Sequence, residues 1–181
     1  MTNESEEQKP TDMKFKLKAA LKCSGSLSGE VDPSEIEKFV TSCNTDLLRR
    51  GAPLGCGAEI VKWNVSEDKV ELKIVSDRFV RAHDALLRFN KEFGKLLGKH
   101  RIGIRGVEIE DYKIILKWKE EEGLRIRKLP FVKEIKQEKG RLELLLDIDE
   151  SALDKRIPDR LIRLVEDKRD AARWKGKSEH W

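Results

Sequence analysis

The sequence is poor in the residues that most often mark a site. Its 181 residues include three cysteines, three histidines and one tyrosine. Cys23, Cys43 and Cys56 cannot all pair with one another, and they lie too far apart for any CxxC pattern, so no disulfide framework is expected. Their spacing relative to His83 matches no zinc module, which leaves buried or idle thiols as the reading. The chain contains no run of 18 apolar residues, and its first residues lack the basic start and apolar stretch of a signal peptide. The expectation is a soluble, cytoplasmic protein with no membrane partner.

Catalytic signatures are scarce as well. Gly51 to Gly57 and Gly103-Ile104-Arg105-Gly106 fit neither the phosphate-binding P-loop nor the dinucleotide fingerprint. The chain holds no GxSxG elbow and no HExxH zinc pair. His83-Asp84 looks like half of a general acid–base pair, but neighbours on a helix point about 100° apart. A helix-surface histidine near the mouth of a binding face is the expectation there. The acidic runs Glu120-Glu121-Glu122 and Asp147-Ile148-Asp149-Glu150 read as solvated loops or strand ends. The chain on its own is expected not to be an enzyme.

What the sequence has in abundance is charge. Charged residues make up 40% and apolar residues 38%, so a thin core lies beneath a densely charged surface. The net charge of +4 conceals an asymmetry: residues 1–12 hold four acids against one lysine, which leaves +7 on the rest. Residues 1–12 read as a disordered acidic leader, and residues 13–172 as one folded body.

Hydrophobic periodicity divides that body into elements. From Met13, the positions Phe15, Leu17, Ala19, Leu21 and Cys23 alternate with Lys14, Lys16, Lys18 and Lys22. This predicts a half-buried strand whose lysines protect a sheet edge, stay solvated or face phosphate. Gly25 to Gly29 reads as a turn. Asp32-Pro33-Ser34-Glu35 opens a helix that buries Ile36, Phe39, Val40, Cys43, Leu47 and Leu48 and ends near Arg50 and Gly51. Residues 58–65 and 69–75 form a hairpin about Ser66-Glu67-Asp68-Lys69. A helix from about Arg78 to Leu97 follows, with Ala82, Ala85, Leu86, Phe89, Phe93, Leu96 and Leu97 on one stripe and Arg81, Arg88, Lys91 and Lys95 roughly opposite.

Val107 to Lys119 alternates again, with an irregularity at Glu110-Asp111. Residues 131–136 and 141–148 flank the turn Glu138-Lys139-Gly140, Ser151 caps a short helical turn, and Pro158 starts or kinks a last helix over 158–172. The fold class is α+β, about six antiparallel strands capped on one face by about three helices. Residues 173–181 read as a linker cut short.

The cations suggest a partner. Arg50, Arg78, Arg81, Arg88, Lys91 and Arg105 carry charges suited to phosphate, and arginine forks also read base and sugar edges. Gathered on one side they form the footprint of a nucleic-acid binder. Phe79, Phe89 and Phe93 belong to the buried stripe, so no row of exposed stacking platforms is expected. Structured RNA suits the residues better than a single strand does.

Five segments carry a resemblance in the same order and spacing: Leu47-Leu48-Arg49-Arg50-Gly51-Ala52-Pro53, Arg78-x-x-Arg81-Ala82-His83-Asp84-Ala85-x-x-Arg88, Ile102-Gly103-Ile104-Arg105-Gly106-Val107-Glu108-Ile109, Arg156-Ile157-Pro158-Asp159-Arg160 and Glu179-His180-Trp181. From about Met13 to Trp181 the chain resembles the amino-terminal domain of the rare, methanogenic-type seryl-tRNA synthetase. The resemblance implies a six-stranded antiparallel sheet with capping helices that binds the long variable arm of serine tRNA. It implies tRNA contacts at Arg50, Arg88, Lys91 and Arg105, to which helix geometry adds Arg81 and Arg78. Asn90 departs from a position that is often basic. ATP and an active-site zinc belong to the family's class II catalytic core, whose motifs are absent here, and the parent enzyme is a homodimer. The alternative expectation is a stand-alone structured-RNA-binding or regulatory protein built from the same domain.

Overall fold

Alternating and helical periodicities resolve into one antiparallel sheet with helices packed on one side. The computed structural model describes residues 13–49, 58–77, 81–117, 129–138, 140–165 and 167. The leader, Arg50, the loop to Pro53, Cys56, Arg78, Phe79 and the 173–181 segment lie outside the described residues. Strand β1 (Met13–Cys23) leads into a one-turn helix α1 (Leu27–Glu30) and the longer α2 (Pro33–Arg49). The hairpin β2 (Glu59–Val65) and β3 (Lys69–Asp77) precedes α3 (Ala82–Gly98) and the long β4 (Ile104–Lys117). A second hairpin, β5 (Val132–Glu138) and β6 (Arg141–Leu146), is followed by α4 (Glu150–Asp154) and a helix over 157–165.

All five strand pairings are antiparallel, in the order β2-β3-β1-β4-β6-β5. The six expected strands are all present. The expected Gly25–Gly29 turn holds α1, which drives Leu27 into the core.

The lysine-rich first strand overturns the edge reading. β1 sits mid-sheet, paired with β3 on one side and β4 on the other. Its lysines stand on the open face, where Lys18 meets Glu110 at 3.3 Å and Lys22 meets Glu108 at 3.0 Å. These two are cross-strand partners to carboxylates, and exposed pairs of this kind contribute little to stability. The odd-numbered positions, from Met13 through Phe15, Leu17 and Leu21 to Cys23, are buried beneath the helices.

β4 keeps its apolar residues on that buried side only because it bulges. Lys18 lies opposite Asp111 while Ala19 lies opposite Ile109, so Glu110 is the extra residue. Tyr112, Ile114 and Leu116 face the core on one side of the bulge, and Ile109 and Val107 still pack against it on the other.

Capping chemistry sets the helix starts. The Asp32 carboxylate accepts the Ser34 N–H at 3.0 Å at the head of α2, as its sequence implies. At α4 the cap is Asp149 rather than the expected Ser151: its carboxylate accepts the Ala152 N–H at 3.0 Å and the Ser151 hydroxyl at 2.7 Å. A carboxylate just ahead of the helix can reach the free amides, whereas Ser151 already lies inside it.

Candidate nucleic-acid interface

Helix α3 owes its two-sidedness to the spacing of its apolar residues. Ala82, His83, Ala85, Leu86, Phe89, Phe93 and Leu97 are buried. Phe89 and Phe93 stack 5.3 Å apart, and Phe39 from α2 packs at 5.4 Å from each, so the two long helices share one aromatic cluster. The opposite face is left to solvent, and there Arg88, Lys91 and Lys95 are exposed. Lys95 leans to Glu92 at 3.3 Å. Arg88 and Lys91 have no ion pair among the described residues.

Arg105 reaches this neighbourhood through a short, pinned connection. Ser24 and Gly103 exchange two hydrogen bonds, each 2.9 Å, where β1 ends and β4 begins. Next along the chain, Ile104 lies against Gly94 of α3, where a Cβ would meet its Cδ1 at 3.7 Å. Arg105 is exposed just beyond, and its charge favours the Cys23 thiolate, though burial dominates and pushes that thiol up. Arg88, Lys91 and Arg105 are therefore accessible cations at α3 and the strand its C-terminal half touches. Asn90, beside them in sequence, is half-buried, with its carbonyl oxygen enclosed and unbonded among the described residues.

Arg81 has a different occupation. Its guanidinium is hydrogen-bonded and ion-paired to the Asp159 carboxylate on the helix over 157–165. The same carboxylate oxygen lies 3.2 Å from His83 Nε2, and His83 Nδ1 is hydrogen-bonded to the Tyr112 hydroxyl of β4. Burial pushes the Tyr112 hydroxyl up, well above its ordinary range, so it stays protonated and donates to Nδ1. His83 Nε2 then carries the hydrogen that goes to Asp159. Burial also holds His83 below its usual value, against the opposing pull of Asp84 and Asp159. For Asp159, burial pushes the carboxyl up, but Arg81 and His83 together outweigh it and hold it below the usual carboxylate range.

The expected surface histidine is thus an interior one, only 2% exposed. Sequence periodicity puts position 83 at the border of the apolar stripe, and neither Tyr112 nor Asp159, 29 and 76 residues away, is visible from there. Tyr112 is readable as a core position needing a partner for its hydroxyl; the identity of that partner is not.

The sequence model of a tRNA-binding domain family matches residues 13–167. This chain belongs to that family. It is 40% identical over 176 residues to the type-2 serine–tRNA ligase of Methanothrix thermoacetophila, covering 93% of this chain and 34% of the relative. The Methanopyrus kandleri type-2 serine–tRNA ligase is 38% identical over 162 residues, covering 85% and 30%. Among solved structures, M. kandleri SerRS in complex with A. aeolicus tRNASec superposes with a TM-score of 0.68 at 32% identity, over 88% of this chain and 31% of that one. The domain spans about a third of the length of the curated relatives it matches. Among the described residues, no helix of the domain is long and apolar enough to cross a membrane.

Proposed function

We propose that this domain is the tRNA-recognition part of an atypical serine–tRNA ligase, gripping the long variable arm of serine tRNA and positioning it for aminoacylation. The observation that carries the reading is the pair of exposed cations on α3, Arg88 and Lys91, unpaired among the described residues of a tRNA-binding family domain. Arg105 extends the grip onto β4, Arg50 joins it by resemblance, and Arg78 by the helical spacing of the sequence. Exposed arginines and lysines can displace the counterions condensed on a nucleic-acid phosphate and so gain a charged partner. The relatives' name supplies the ligase, and the tRNA complex of M. kandleri SerRS supports the ligand class.

Aminoacylation itself is assigned to the two-thirds of the relatives that this domain does not span, and ATP and zinc go with it. Among the described residues, no group of three or more His, Cys, Asp or Glu side chains is arranged to hold a metal. The reading carries with it a homodimeric parent enzyme in the cytoplasm.

Filter binding with serine tRNA, intact and with the variable arm deleted, tests it. The intact RNA should bind at least about tenfold tighter, and equal affinities would remove the variable-arm assignment. Arg88→Ala should weaken binding and lower the slope of log K against log salt by about 0.7–0.9, one phosphate contact. An unchanged slope would mean that Arg88 meets no phosphate.

A further inference from the structure

Phe131 stands in a conformation and a place that packing does not require. Pro130-Phe131 form the corner of a turn closed by the Val132 N–H donating to Leu129 O at 3.2 Å. Phe131 is at φ 63°, the left-handed region that glycine fills without strain and a bulky aromatic residue rarely adopts. Instead of entering the core, Phe131 is 48% exposed, one of three large hydrophobic residues so placed among those described. A strained backbone that leaves an aromatic ring half in solvent is the kind of feature that clusters at functional sites.

The ring borders a cleft of about 790 Å³ between β4 and α4. Val107, Ile109 and Ile157 supply apolar walls, while Asp147 and Lys155 supply polar ones. The other carboxylates nearby are engaged: Asp149 caps α4, Glu150 accepts the Val107 N–H at 3.0 Å, and Glu108 pairs with Lys22. The Asp147 carboxylate has no partner among the described residues, and the Asp147 N–H donates to Phe131 O at 2.8 Å, tying it to the aromatic corner. Arg156, exposed and also left-handed at φ 57°, follows Lys155. Along β4, Arg105 stands two residues from Val107, so this cleft adjoins the proposed grip.

We propose that this cleft takes one unpaired nucleobase of the bound RNA, stacked on Phe131, with Asp147 accepting from an exocyclic amino group and Lys155 meeting the adjoining phosphate. An aromatic face, one free acceptor and flanking cations are what a splayed-out base needs. The acceptor favours adenine, cytosine or guanine over uracil, which has no amino group. The cations and their continuity with Arg105 favour RNA over a polypeptide. This rests on the proposed tRNA-recognition role.

Phe131→Gly separates stacking from folding, because glycine accepts the turn and should leave thermal stability unchanged or raised. The variant's affinity for serine tRNA should fall by about five- to a hundredfold, while Phe131→Tyr retains it. A duplex RNA of equal length without unpaired nucleotides should bind wild type and Phe131→Gly alike. Wild-type affinity of folded Phe131→Gly for serine tRNA would overturn the proposal and leave the cleft to a polypeptide, with the Arg88 result untouched. An equal loss on the duplex would overturn base stacking. A wild-type domain that binds no serine tRNA would sink the recognition role and this proposal together.

Discussion

At the scale of single residues, two cations that look alike in sequence differ in what they touch. Arg81 and Arg88 both lie on the polar side of the helical wheel, yet Arg81 is drawn into the Asp159 carboxylate and Arg88 faces water. The difference comes from a residue 78 positions away, which periodicity cannot see. Replacing Arg81 by alanine should therefore act on the fold before it acts on RNA. It strands a half-buried carboxylate with His83 as its remaining described partner and should cost about 1.5–3 kcal/mol of stability, the range for hydrogen bonds to charged groups. Thermal unfolding should detect that loss. Salt titration of tRNA binding at a temperature where the variant is folded should keep the wild-type slope, unlike Arg88→Ala. A slope lowered by one contact would return Arg81 to the RNA-facing set.

At the scale of elements, the Tyr112–His83–Asp159–Arg81 chain joins β4, the start of α3 and the helix over 157–165. Its dependence on pH follows from His83. In the folded domain His83 is held below its ordinary value of about 6.5. Below that pH the unfolded chain takes up a proton that the folded chain resists, so stability is full above about pH 6.5 and erodes as the pH falls. Asp159, also held low, adds a loss in the same direction farther down, as its carboxylate is protonated. The melting temperature should fall between about pH 7.5 and 5, and His83→Gln should flatten that segment. A wild-type melting temperature that is flat or rises toward the acid end would contradict the buried, neutral histidine.

Elements are also where the sequence is most readable, and the failures share a cause. The six strands, the α2 cap at Asp32 and the break at Glu110-Asp111 are all legible because each depends on neighbours within a few residues. The apolar run beginning at Phe131 extends one residue beyond the strand, since alternation alone does not reveal that the chain turns at Pro130 and leaves that ring outside. β1 resembles an edge because lysines at every second position fit either an edge or an open face, and only pairing order distinguishes them. Of the proposed grip, the exposed cations on α3 are legible as a helix face. The cleft at Phe131 is not, because its walls come from segments far apart in the chain, the nearest two being Phe131 and Asp147, 16 residues on.

At the scale of the whole molecule, the sheet divides the labour. One side is core and helices, with the accessible cations at α3 and the adjoining start of β4. The other side is a lattice of lysines and carboxylates, among them Lys113 between Asp111 and Glu143 at 3.6 and 3.2 Å. The central position of β1 in this sheet also has a bearing on biosynthesis. Met13 pairs with Leu116, so the middle strand is translated about 100 residues before its second neighbour, an interval of roughly 5–20 s at about 5–20 residues per second. Until that neighbour arrives, one edge of the strand is unpartnered. The lysines that are ordinary surface in the finished domain keep charge beside that open edge while it waits, and charge there disfavours pairing with other chains.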